Sequence, residues 1–88
     1  MTLEYDKSFY KDIKKLKDAR LSAKLKIALL DFKDAPNLSE FSKIKKMKGY
    51  EHYYRLQIGD YRLGFSYKDD VLKVIRFLHR KEIYRYFP

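Results

Sequence analysis

His52-Tyr53-Tyr54-Arg55-Leu56-Gln57-Ile58-Gly59-Asp60-Tyr61-Arg62-Leu63-Gly64-Phe65-Ser66-Tyr67 reads as two strands joined by Gly59 and Asp60, a Gly-X pair suited to a two-residue type II′ turn. A loop of two residues sets the register. Ile58 then opposes Tyr61, Leu56 opposes Leu63 and Tyr54 opposes Phe65, which makes one apolar face. Gln57 meets Arg62 and Arg55 meets Gly64 on the other face. Asp69-Asp70 reads as a second two-residue turn, so that Lys68 opposes Val71, Gly64 opposes Ile75 and Arg62 opposes Phe77. His79 then falls one step beyond Phe77, and the expected arginine face carries Arg55, Gln57, Arg62, Lys73 and His79. Diagonal neighbours lie roughly 7–8 Å apart, close enough for Arg62 and His79 to touch one phosphate.

Upstream, Thr2-Leu3-Glu4-Tyr5 suits a short first strand. Asp6 or Ser8 can cap a helix to about Lys17, with Phe9, Ile13 and Leu16 at helical spacing. A second helix fits Leu21 to Phe32 or Lys33, buried along Leu21, Leu25, Ala28, Leu29 and Phe32 and ended by Asp34-Ala35-Pro36-Asn37. Ser39-Glu40-Phe41 suits a helical turn, and Lys43, Lys45, Lys46 and Lys48 form a basic run without evident periodicity. Arg80 to Pro88 is expected as a short helical or extended tail. These elements predict a single α+β domain over residues 1–88: a short N-terminal strand, two helices on one face of an antiparallel β-meander, and a C-terminal tail. One residue conflicts with that layout. Arg76 falls with Val74 and Leu78 on the core side, where it must snorkel to an edge or pair with a helix carboxylate.

The 88 residues leave room for one modest core. Lys plus Arg outnumber Asp plus Glu by 21 to 12, a net charge of +9, which favours polyanionic partners, nucleic acid before an acidic protein or an anionic membrane. A solvated lysine-rich surface has the same composition, so charge alone selects nothing. Nine tyrosines and no tryptophan suit a surface that both packs rings and offers hydroxyls. With no cysteine there is no disulfide, thiolate metal site or thiol nucleophile. Two histidines without metal-ligand spacing give no metal site, and no cofactor is expected. No apolar run suits a signal peptide or a membrane span, so a cytoplasmic protein without membrane contact is expected.

Arg62 has the fork geometry that holds a phosphate through two parallel hydrogen bonds; a cross-strand contact with Gln57 is its ordinary alternative. His79 can serve as general acid or base, or be simply a partly buried strand-end histidine. Arg80, Lys81 and Arg85 alternate with Tyr84 and Tyr86, a pattern suited to single-stranded RNA, while Ile83, Tyr86 and Phe87 can pin the tail to the domain. Lys46 and Lys48 are candidate backbone contacts or a solvated loop. No Ser-His-Asp pattern, paired carboxylates or phosphate-cradling glycine loop is present.

The element order, together with Lys46-Met47-Lys48-Gly49, Tyr53-Tyr54-Arg55-Leu56, Gly59-Asp60-Tyr61-Arg62-Leu63-Gly64-Phe65 and His79-Arg80-Lys81-Glu82-Ile83-Tyr84-Arg85, resembles the RelE/ParE superfamily of type II toxins, and within it the RelE-like mRNA interferase branch. The resemblance spans essentially the whole chain. It implies a RelE-like fold and a ribosome-dependent, metal-independent endoribonuclease that cleaves mRNA and is restrained by a cognate antitoxin. It also implies a monomer when free and a hetero-oligomer with the antitoxin.

The same resemblance implies a catalytic set of Arg55, Arg62, His79, Arg80 and Tyr84. RNA contacts would come from Lys46, Lys48, Gln57, Lys73, Lys81, Arg85 and Tyr86. Attack of the ribose 2′-hydroxyl on the scissile phosphate is the implied chemistry. His79, Lys81 or a terminal tyrosine would move the proton. Gln57 stands where RelE carries a second lysine, and His79 resembles the histidine-using YoeB and YafQ group. The ParE branch, a gyrase poison without the basic set, shares the fold, so a gyrase inhibitor, an RNA-binding module and an inactive toxin that still binds antitoxin are the alternatives.

Overall fold

The computed structural model describes residues 1–88. In chain order the elements are β1 (Thr2–Tyr5), α1 (Lys7–Lys14), α2 (Ala19–Asp34), a 3₁₀ turn (Leu38–Glu40), β2 (Ile44–Lys46), β3 (Tyr53–Ile58), β4 (Tyr61–Lys68), β5 (Val71–His79) and α3 (Ile83–Tyr86). The strands form one sheet in the order β1-β5-β4-β3-β2. Only the β1–β5 pairing is parallel; the meander itself is antiparallel. The α+β class thus holds, with β1 added to the meander's edge. No helix is long and apolar enough to cross a membrane.

Asp6 is the N-cap of α1 and accepts from the Ser8 amide, while Asp18 caps α2 through the Leu21 amide. The first helix ends at Lys14, three residues short of the expected Lys17. The Lys15 and Leu16 amides there donate three residues back, to the Asp12 and Ile13 carbonyls, and tighten the turn. On the helix side, ten buried side chains, Phe32, Leu63, Phe65, Leu72 and Val74 at the centre, make the main core.

The register of β3 on β4 is the expected one, with Gln57 opposite Arg62 and Arg55 opposite Gly64. The second hairpin begins as expected, Lys68 opposite Val71, its turn residues Asp69 and Asp70 both at positive φ. It then slips by one. Phe65 opposes Val74 but Gly64 opposes Arg76, so Ile75 is an extra residue, a β-bulge. Phe77 therefore faces Leu63 in the core and Leu78 faces Arg62, correcting the expected pairs Gly64–Ile75 and Arg62–Phe77.

The bulge has a physical cause at the edge of the sheet. Strand β1 ends at Tyr5, opposite Val74, so the far half of β5 has no neighbour on that side. Side chains of α1 take its place. Ser8 Oγ donates to the Ile75 carbonyl at 2.7 Å, and the Asp12 carboxylate accepts from the Phe77 amide at 2.9 Å. Asp12 also receives Arg76 through two bonds, Nε at 2.8 Å and Nη2 at 2.9 Å. Of the two fates open to Arg76, the carboxylate pair is the observed one, and it holds the guanidinium even more firmly protonated than usual.

The middle of the basic run, Ile44–Lys46, is a strand rather than an irregular loop: Ile44 of β2 opposes Leu56 and points inward. The face away from the helices is not bare. Met47, Ile83 and Phe87 form a second small core there with Tyr53, Ile75 and Leu78. The Phe87 ring lies directly on Gly64, where an added Cβ would come within 2.7 Å of it. The tail is therefore strapped across part of the face that carries the arginines.

Candidate nucleic-acid interface

Where the strap ends, Arg55, Arg62, Arg80, Lys81 and Tyr84 surround an open recess of about 390 Å³. Each wall has a local cause. Arg55 and Arg62 alternate outward from β3 and β4 by the strand period. Arg80 and Lys81 follow the end of β5, where the Arg80 amide donates to the Asp60 carbonyl at 2.7 Å. Tyr84 is held by its neighbour Ile83, fully buried in the small core. The Arg55 guanidinium lies 5.3 Å from the Tyr84 ring centroid, a cation–π contact.

Arg62 Nη1 donates to the carbonyls of Gly59 and Tyr61, both at 2.9 Å, which fixes its head at the turn while Nε and Nη2 remain unbound within the protein. Gly59 has φ +57°, as a glycine-first turn requires. Arg80 Nε has only the exposed Asp60 carboxylate, at 3.8 Å. Arg55, Arg62 and Lys81 have no ion-pair partner, so the recess concentrates uncompensated positive charge suited to a phosphate.

A family model described as the ParE toxin of the type II toxin-antitoxin system parDE matches residues 3–84. The chain belongs to this family of toxins. The toxin is 36% identical to Toxin RelE3 of Methanocaldococcus jannaschii over 89 residues, covering all of both chains. Its fold matches the crystal structure of a RelB-RelE antitoxin-toxin complex from Methanococcus jannaschii with a TM-score of 0.82 and 35% identity, over 97% of this chain and 99% of that one. YafQ from Escherichia coli BL21(DE3) shares the fold at 22% identity, with a TM-score of 0.73 over 93% of this toxin and 96% of YafQ. The chain is thus a RelE/ParE superfamily toxin with the RelE-like fold.

The remaining residues expected at the toxin's arginine face are dispersed. His79 opposes Tyr61 and packs edge-on against its ring at 5.6 Å, on the opposite face, because the bulge reverses the alternation beyond Ile75. Its Nδ1 accepts from the Lys81 amide at 3.2 Å. Lys73 keeps the expected face but opposes Ser66, away from the recess, and its Nζ lies 3.6 Å from Asp6. Gln57 faces Arg62 as expected yet lines a separate recess with Lys24, Phe41 and Lys43.

Lys46 opposes Tyr54, whose ring stacks on Phe65 in the main core, so Lys46 stands on the wrong face for the arginines. Lys45, opposite Arg55, is the lysine that shares their face. Sequence reading missed it because a three-residue strand with one apolar side chain shows too little alternation. Lys48 is exposed beyond β2. The exposed Arg85 lies 5.8 Å from the Tyr86 ring, and Tyr86 faces Arg76 at 5.7 Å rather than the recess.

Proposed function

We propose that this toxin is an endoribonuclease of the mRNA-interferase kind, acting on mRNA held by the ribosome and restrained by an antitoxin. The carrying observation is the recess of Arg55, Arg62, Arg80 and Lys81 with Tyr84, four cations on one concave surface with almost no carboxylate to neutralise them. The 2′-hydroxyl gives up its proton to water and attacks the adjacent phosphorus, giving a 2′,3′-cyclic phosphate and expelling the 5′-oxygen. Arg62, preset by the turn carbonyls, and Arg55 stabilise the charge that gathers on the phosphoryl oxygens. Lys81 or Tyr84 supplies the proton to the leaving oxygen, because His79 lies outside the recess. No carboxylate lines the recess to act as a base, so alignment by the ribosome carries much of the rate and free RNA is a poor substrate. The chemistry needs no metal.

The antitoxin reading rests on the RelB-RelE complex that the chain resembles and on the net charge of +9, which suits an acidic or amphipathic wrapping segment. A gyrase-poisoning activity is the second reading, favoured by the family model's ParE description.

Brief induction in cells, with mRNA 5′ ends mapped by primer extension beside a DNA-damage reporter, separates the two. The expected result is new ends within translated regions, reduced about 100-fold or more by Arg62→Ala. A damage response with intact messages would give the activity to gyrase instead. Silence in both assays would leave a binding module or an inactive toxin.

A further inference from the structure

Across the Arg80–Glu82 turn from the phosphate recess lies a second recess of about 410 Å³, lined by Lys15, Arg76, His79, Glu82 and Tyr86 among others. Its chemistry differs from the first. The Arg76 charge is already matched by Asp12, and Lys15 and Glu82, of opposite sign, have no ion-pair partner within the protein. The recess is therefore close to neutral but rich in unengaged hydrogen-bonding groups. Glu82 offers a carboxylate, Lys15 an ammonium, and Tyr86 a hydroxyl. His79 offers Nε2, its Nδ1 being taken by the Lys81 amide. Tyr86 contributes a half-exposed ring with the Arg76 guanidinium 5.7 Å from its centroid.

Phosphate is a poor occupant of such a site, since Glu82 would repel it and Arg76 is already paired. A flat, uncharged ring with polar edges fits better: it can stack on the part of the half-exposed Tyr86 ring that the Arg76 and Arg85 guanidinium groups leave open, while its edge meets Glu82 and His79. Among nucleobases, guanine alone presents two adjacent N–H donors on its pairing edge, the arrangement a carboxylate accepts in parallel. We infer that this recess reads a guanine base of the RNA whose backbone lies in the arginine recess, with Glu82 as the specificity-determining residue. The inference rests on the RNA reading of that first recess. Consecutive residues of a single turn wall both recesses, Arg80 and Lys81 on one side and His79 and Glu82 on the other, so one strand of RNA can occupy the two together.

The test is an NMR titration of the full chain with the 5′-monophosphates of guanosine, adenosine, cytidine and uridine. It follows the His79 imidazole and Tyr86 ring signals separately from those of Arg55 and Tyr84. The guanosine nucleotide should move the His79 and Tyr86 signals at the lowest concentration. Glu82→Gln, which turns an amide donor toward the base's own donors, should weaken that response about tenfold or more and erase the preference. If all four nucleotides shift only the Arg55 and Tyr84 signals, the base site is overturned while the phosphate recess stands. Equal response to all four at His79 and Tyr86 would overturn the role of Glu82. No response at either recess would overturn this inference together with the RNA reading beneath it.

Discussion

Arg76 and Arg62 stand on neighbouring strands, β5 and β4, and meet opposite surroundings. Arg76 is bound twice by a buried carboxylate, Asp12, which also ties down the amide of Phe77. Arg62 touches only the carbonyls of Gly59 and Tyr61 and shares its recess with three more cations. The first arrangement closes the edge of a sheet. The second gathers like charges at an electrostatic cost, a cost that an incoming anion offsets. Residue type is the same in both, so the distinction between an arginine that closes the fold and one proposed to meet RNA lies in what faces it.

The sharpest way to break this contrast is to remove the carboxylate. Asp12→Ala leaves the Arg76 guanidinium and the Phe77 amide without partners, and an unfolding free energy lower by about 3 kcal/mol is expected in denaturant titrations. A loss within experimental error would mean that the pair is incidental and the bulge self-supporting.

Next in size is Gly64→Ala, which drives a Cβ into the Phe87 ring and should destabilise by about 1–3 kcal/mol as the tail is displaced. Faster trypsin cleavage at Arg80, Lys81 and Arg85 should accompany it. Adding Phe87→Ala should restore part of the stability but not the protection of the tail. Unchanged proteolysis in Gly64→Ala would show that the strap does not hold the wall containing Tyr84.

Smaller again is the effect of Asp6, the cap of α1 and partner of Lys73. Hydrogen bonds from the Ser8 hydroxyl and amide hold its carboxyl below the ordinary carboxylate value. A depressed pKa in the folded state contributes stability that is complete above the unfolded value, about 4, and disappears as pH falls through the folded value. Asp6→Ala should therefore cost about 1 kcal/mol near neutral pH, with the gap to the parent narrowing below about pH 4. A gap that widens toward acid would reverse the assignment. At the far end of the scale, Arg62→Ala should alter stability by less than about 0.5 kcal/mol, despite its expected effect on RNA cleavage.

The second hairpin shows where sequence reading stops. Both two-residue turns and the whole register of β3 on β4 follow from Gly59-Asp60, Asp69-Asp70 and the apolar alternation. In Val74-Ile75-Arg76-Phe77-Leu78, however, apolar residues occupy both phases. No glycine or proline marks the bulge, so a local pattern is equally satisfied with or without it. His79 is expected on the arginine face for the same reason, since a one-residue change of phase moves a side chain through the sheet.

By itself the sequence determined the α+β class, the two helices, a cap at Asp6 or Ser8 for the first of them, the first hairpin and the outward placement of Arg55 and Arg62, because turns, caps and periodicity are local and act within a few residues. Tertiary structure alone decided that Ile75 bulges, that His79 leaves the arginines, that Lys45 rather than Lys46 joins their face, and that Arg80, Lys81 and Tyr84 close the recess. Those outcomes depend on Asp12 reaching β5, on the register of β2 against β3 and on Phe87 settling on Gly64, contacts between residues far apart in the chain whose energies no local pattern records.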